Sequence, residues 1–190
     1  MNTVTQTAPR EDRGNRHQDH AVAAAVLPDG EAARHTDLIE LMFFAYRDFT
    51  ADPDAILAND GFGRAHHRVL HFVGRKPGLT VAELLAILQI TKQSLARVLK
   101  DLIRSGHITQ ESGRTDRRQR HLVLTAKGQD LASRLSQAQT LRIDRALAAM
   151  DPARRDAVHA FLFAMLDDAN RAQFLALPRE AASDAPDDDA

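Results

Sequence analysis

The sequence predicts a mainly α-helical fold carrying one short β-hairpin, and three observations lead to it. Apolar residues recur at spacings of three and four along most of the chain from residue 37 onward, the pattern of helices with a buried face. One such helix, within Ile90 to Gly106, buries Leu95, Val98, Leu99 and Leu102 and turns Thr91, Lys92, Gln93, Ser94, Arg97, Lys100 and Arg104 outward. Directly after it, two alternating runs, His107 to Glu111 and Gln119 to Leu124, flank Ser112-Gly113-Arg114-Thr115-Asp116-Arg117-Arg118, which reads as a hairpin with a basic tip. Helix, helix and hairpin in this order make a winged helix-turn-helix.

Taken in order, Met1 to Arg34 is polar, lacks periodicity and contains Pro9, Gly14, Pro28 and Gly30, as expected of a disordered or loosely ordered arm. Within it the run Ala21 to Leu27 has two readings, a loose arm or a turn of helix that packs on a partner. Thr36 is a candidate N-cap for a helix from Asp37 to about Thr50. That helix is apolar on two sides, through Leu38, Leu41, Met42, Ala45 and Phe49 and through Ile39, Phe43 and Tyr46. Asp52-Pro53-Asp54 is expected to break it, and Asp60-Gly61 marks a second break.

Phe62 to Arg75 reads as the next helix, closed by Lys76-Pro77-Gly78. Thr80-Val81-Ala82-Glu83 matches a capping box and fixes the start of a helix from Val81 to about Leu88, the support of the helix-turn-helix. After a turn at Gln89-Ile90-Thr91 the recognition helix runs from Lys92 to Ser105, and Gly106 supplies its left-handed stop. Thr125 should cap a helix that reaches about Met150. Asp151-Pro152, an N-cap followed by proline, should start another that continues to about Phe174. Its apolar stripe of Val158, Phe161, Leu162, Met165 and Leu166 is too wide for a lone surface helix, so a second subunit is expected to cover it. Pro178 to Ala190 carries five acids and one Arg. It reads either as a solvated tail or as a competitor with DNA for the basic surface.

Charge points to nucleic acid. Thr91 to Lys127 holds nine Lys or Arg against three Asp or Glu, a net of +6 in a chain whose formal total is −1. With one Tyr and no Trp, readout of single strands by aromatic stacking is disfavoured. With no Cys, disulfides, thiolate zinc sites and cysteine-based peroxide sensing are excluded. Neither a Gly-rich phosphate loop, an HExxH nor a serine elbow is present, so the chain does not read as an enzyme and no cofactor is expected. No stretch has the length of a membrane span, and the first twenty residues lack the apolar core of a signal peptide, so a cytoplasmic location is expected.

The residues Leu79 to Leu84, Thr91 to Gly106, Asp116-Arg117-Arg118 and Leu122-Val123-Leu124-Thr125-Ala126-Lys127-Gly128 together resemble the MarR family of bacterial winged-helix transcription regulators. The run Gly61-Phe62-Gly63-Arg64-Ala65-His66-His67-Arg68 is similar to the PetP-like branch of that family. The resemblance covers about Leu38 to Leu175. It implies a homodimer that meets an inverted-repeat site on double-stranded DNA, with repression relieved by a small aromatic or anionic effector. The expected organisation is an N-terminal arm at 1–34, an N-terminal helix of a dimerisation region at 35–60, the DNA-binding winged helix-turn-helix at 61–128, C-terminal dimerisation helices at 129–177 and an acidic tail at 178–190.

Expected DNA contacts are Thr91, Lys92, Gln93, Ser94, Arg97 and Lys100 on the recognition helix, since Gln suits adenine and Arg suits guanine by bidentate geometry. In the wing, the resemblance assigns Arg118 to the minor groove. Arg114, Arg117 and Arg120 are expected on phosphates, and Asp116 reads as a buttress that orients neighbouring arginines. Gln110 stands where the family often has Arg, so a contact from that position is not carried over. The resemblance places a ligand cavity among Leu38 to Tyr46 and Phe62 to Phe72. There Arg64 and Arg68 suit a carboxylate such as a phenolic acid. His67 and His71, four apart on one face beside His66, read either as hydrogen-bonding or interface residues or as ligands for a metal or haem. A DNA-binding protein with no operator and no ligand is the competing function, and a protein-binding adaptor is a third.

Overall fold

The computed structural model describes residues 30–112 and 120–178. Among these residues seven α-helices accompany a small sheet: α1 (Glu31–Ala58), α2 (Arg64–Arg75), β1 (Leu79–Thr80), α3 (Val81–Leu88), α4 (Lys92–Arg104), β2 (Ile108–Ser112), β3 (Arg120–Leu124), α5 (Ala126–Ala148), α6 (Arg155–Ala164) and α7 (Asp168–Leu175). The mainly helical winged helix-turn-helix expected from the sequence is the observed fold. None of the described helices is long and apolar enough to cross a membrane.

The core lies under the helix-turn-helix. Leu84 and Leu88 of α3 and Leu95, Val98, Leu99 and Leu102 of α4 are buried with Val69, Leu70 and Val73 of α2, Leu122 and Leu124 of β3, and Leu131 and Leu135 of α5. The three strands are antiparallel in the order β1-β3-β2, with Leu79 opposite Leu122 and Ile108 opposite Leu124. β1 was not anticipated, because two residues show no alternation. It forms where Leu79 is buried against β3 and the Gly78 N–H donates to the Leu122 carbonyl at 3.0 Å.

Three boundaries differ from the sequence reading. Helix α1 begins at Glu31, inside the stretch expected to be an arm, and Thr36 lies within it, donating to the Ala32 carbonyl instead of capping. It also runs through Pro53, where a break was expected. A proline inside a helix costs about 3 kcal/mol, and here tertiary packing outweighs that. Pro53 and Leu57 are buried, while the flanking Asp52 and Asp54 accept from Arg142 and Arg64, each at 2.8 Å. The last helical region is split in two. Asp167 caps α7 through the Asn170 N–H at 2.7 Å, and Arg171 donates to the Ala164 carbonyl at 3.0 Å near the end of α6. Helix α7 then folds back on α3, with Gln173 donating to the Ala86 carbonyl and Gln89 to Asn170 Oδ1.

Candidate nucleic-acid interface and ligand cleft

The outward face of α4 is built by its two ends. At the start, Thr91 Oγ1 accepts the Ser94 N–H at 3.1 Å and donates to Ser94 Oγ at 2.8 Å. These two hydroxyls, expected on base edges, therefore hold the cap of the helix. At the other end, the His107 N–H reaches the Leu102 carbonyl and the Gly106 N–H the Ile103 carbonyl. This pairing needs the left-handed φ of +75° that Gly106 adopts. Between the ends, Lys92, Gln93, Arg97 and Lys100 are all exposed, opposite the buried leucine stripe. Arg104, one turn beyond Lys100, is drawn onto Asp101 at 3.2 Å.

The wing leaves this helix through a tight junction. Thr125 donates to the Gly106 carbonyl at 2.6 Å and accepts the Gly128 N–H at 3.1 Å, and Lys127 donates to the Ser105 carbonyl at 3.1 Å. A Cβ on Gly128 would lie 2.0 Å from the His107 carbonyl oxygen, so only glycine lets α5 approach the end of α4 this closely. The Leu-Thr-x-x-Gly spacing thus ties the wing exit to the recognition helix. Arg120 is exposed on β3 and donates to Ser112 Oγ at 3.3 Å. Gln110 is exposed on β2 opposite Leu122. Arg114, Asp116, Arg117 and Arg118 lie outside the described residues.

The four residues expected to face a ligand converge. Arg64, His67, Arg68 and His71 line one cleft of about 290 Å³ together with Tyr46, Phe49, Thr50, Phe72 and Gln139, between α1, α2 and α5. Of Leu38 to Tyr46, only Tyr46 reaches it. Phe49, Thr50 and Gln139 were not anticipated; Gln139, a polar residue beside the apolar repeat of α5, was the available signal. Two of the four are partly engaged already. Arg64 pairs with Asp54 at 2.8 Å and sits over the Tyr46 ring, and Arg68 donates to the Leu88 carbonyl at 3.1 Å.

Burial pulls both cleft histidines below their ordinary value. The neighbouring His71 lowers His67 further, against an opposing pull from Asp54, and Arg75 lowers His71. Both rings are therefore neutral near pH 7. His66, in contrast, turns to the other side of α2, where it stacks on Phe62 at 4.7 Å. The three histidines do not converge, and among the described residues no group of three or more His, Cys, Asp or Glu could hold a metal ion.

Comparison with known proteins gives the geometry a setting. A model of the MarR family matches residues 60–119. The HTH-type transcriptional regulator PetP of Rhodobacter capsulatus is 51% identical over 136 residues, which span 72% of this chain and 82% of that protein. A MarR family regulator from Silicibacter pomeroyi superposes with a TM-score of 0.58 at 22% identity, over 72% of this chain and 90% of that one. A Mycobacterium tuberculosis MarR family protein, solved in complex with salicylic acid, superposes with a TM-score of 0.50 at 22% identity, over 73% and 98%.

Proposed function

The chain belongs to the MarR family of transcription regulators, and from that premise we propose a dimeric repressor whose hold on an inverted-repeat DNA site is loosened by a small aromatic or anionic effector. The observation that carries this reading is the pairing of one exposed basic face with terminal helices whose apolar residues are left open. Phe43, Tyr46, Leu162 and Leu175 are between 53% and 71% exposed, the kind of surface that a second copy would cover. A symmetric dimer would place its two α4 helices one helical turn of DNA apart, about 34–36 Å. On each half-site Gln93 and Arg97 read base edges, Lys92 and Lys100 meet phosphates, and Arg118 enters the minor groove, with Arg114, Arg117 and Arg120 on phosphates around it.

The cleft is the site for the effector. Its volume is at the small end of ligand pockets, and its aromatic walls with two arginines suit a single-ring acid. It opens between α1, which would reach the partner, and α2, which backs the reading head, so a ligand could favour a dimer spacing that misses successive grooves. Only a ligand that prefers that spacing would release the DNA.

The experiment is a titration of the purified protein with a duplex from the promoter region upstream of its own gene and with a scrambled duplex, at two salt concentrations. Tight binding confined to the promoter, weakened by salicylic acid in the wild type and unaffected by it in His67→Ala with His71→Ala, supports the proposal. Equal, salt-labile binding to both duplexes would instead indicate a DNA-binding protein without an operator.

A further inference from the structure

The Gly61 to Arg68 run holds one residue that neither the DNA face nor the cleft uses. His66 Nδ1 lies 3.1 Å from the Gly63 N–H and accepts it, which caps the start of α2. An acceptor nitrogen carries no proton, so the neutral ring has its proton on Nε2. That Nε2 is buried and without a hydrogen-bond partner, an exception that calls for a reason. It points toward Asp101 Oδ2 at 3.7 Å, the carboxylate that α4 turns to α2. Stacking on Phe62, whose ring also meets the edge of His107 beyond the end of α4, fixes the ring in this direction.

Asp101 has a second partner. Its Oδ1 accepts from Arg104, whose side chain is 75% exposed on the basic side of α4. If Arg104 turns to a DNA phosphate, Asp101 keeps only His66 among the described residues. A closure of about 0.8 Å would bring Nε2 to ordinary hydrogen-bond distance. Asp101 stands one turn after Arg97, so whatever fixes its bearing also fixes that of the reading face. A rotation of the helix by about 10° would displace a side-chain tip by about 1 Å, enough to break a base contact.

We propose that His66 is a positioning residue for DNA reading, its Nε2–H holding Asp101 and thereby the rotation of α4 when Arg104 engages the backbone. This rests on the DNA-binding reading above. The test uses two substitutions that each keep one half of the ring's bonding. His66→Asn retains an acceptor near Nδ1 for Gly63 and removes the arm toward Asp101; His66→Gln retains a donor that reaches Asp101.

The full-length variants are titrated with the promoter duplex and the scrambled duplex. His66→Asn is expected to bind the promoter roughly tenfold more weakly, the cost of one misaligned base contact, with scrambled binding unchanged. His66→Gln should restore the promoter preference. In the same assay His66→Asn combined with Asp101→Ala should bind no more weakly than Asp101→Ala alone. A His66→Asn protein with the wild-type preference, with equal losses on both duplexes, or with losses that add to those of Asp101→Ala, overturns the assignment. A wild-type protein that does not distinguish the duplexes overturns the DNA-reading proposal itself, and this inference with it.

Discussion

Leu102 and Phe43 sit on helices of one chain, yet the first is fully buried and the second is 71% exposed. The same contrast separates two regions. Around α3, α4 and the sheet, Leu79, Leu84, Leu88, Leu95, Val98, Leu99, Leu102, Ile108, Leu122 and Leu124 are between 0 and 8% exposed, so this part closes its own core. Along the first half of α1, the second half of α5 and one side of α6, apolar side chains stay open, among them Ile39, Leu41, Leu141, Phe161 and Leu162. The reading head is thus complete within one chain, while the helices at both ends have a face still to be covered. In the proposed dimer, this division would let the distance between the two heads vary without disturbing either core.

The largest effect should separate the two regions. Leu102→Ala is expected to lower the unfolding free energy by about 2–5 kcal/mol at any protein concentration, as read by chemical denaturation. Phe43→Asp with Leu162→Asp should leave the unfolding of the winged-helix core in place and yield a monomer in sedimentation. If the double variant unfolds the head, the two regions are not independent. Next, Gly128→Ala should cost about 1–3 kcal/mol, because its methyl group must displace the His107 carbonyl that joins α4 to α5.

Arg97→Ala and Arg118→Ala should leave the melting curve alone and weaken promoter binding by about 1–3 kcal/mol each, which duplex titration would read. The smallest effect belongs to Glu83. Its carboxyl is held down to about 2 by Lys76, whose ammonium lies 2.8 Å away, and by the Thr80 amide and hydroxyl. A depressed carboxyl stabilises the fold above its unfolded value, and that contribution is lost as the pH falls from about 4.5 toward 2. Because the pair lies at the surface, Glu83→Gln should cost no more than about 1 kcal/mol at pH 7 and flatten the acid limb of the stability curve.

What the sequence made legible was mostly local chemistry. The Thr80 and Glu83 box, the Thr125 cap and the Gly106 stop each act within five residues, and all stand where the sequence placed them. Pro53 misled because its penalty is local while its compensation comes from Arg142, 89 positions further along, and Arg64. The split at Asp167 was hidden because the apolar repeat from Phe161 to Phe174 continues across a cap that needs only one carboxylate. At the cleft, Arg64, His67, Arg68 and His71 share one helix and could be grouped by spacing, whereas Gln139 arrives from α5 by tertiary packing. His66 is adjacent to His67 in sequence, and nothing short of the backbone of α2 shows that it faces α4.

In the proposed dimer, the open helices hold two closed heads at the spacing of successive major grooves until an effector shifts it. The most direct test places five extra base pairs, about half a turn of DNA, between the half-sites of the protected promoter sequence and measures affinity and stoichiometry. Two chains are expected to bind the native duplex together, and the insertion is expected to abolish this joint binding, leaving only weak attachment to single half-sites. Unchanged affinity on the lengthened duplex, or one chain per native site, would contradict it.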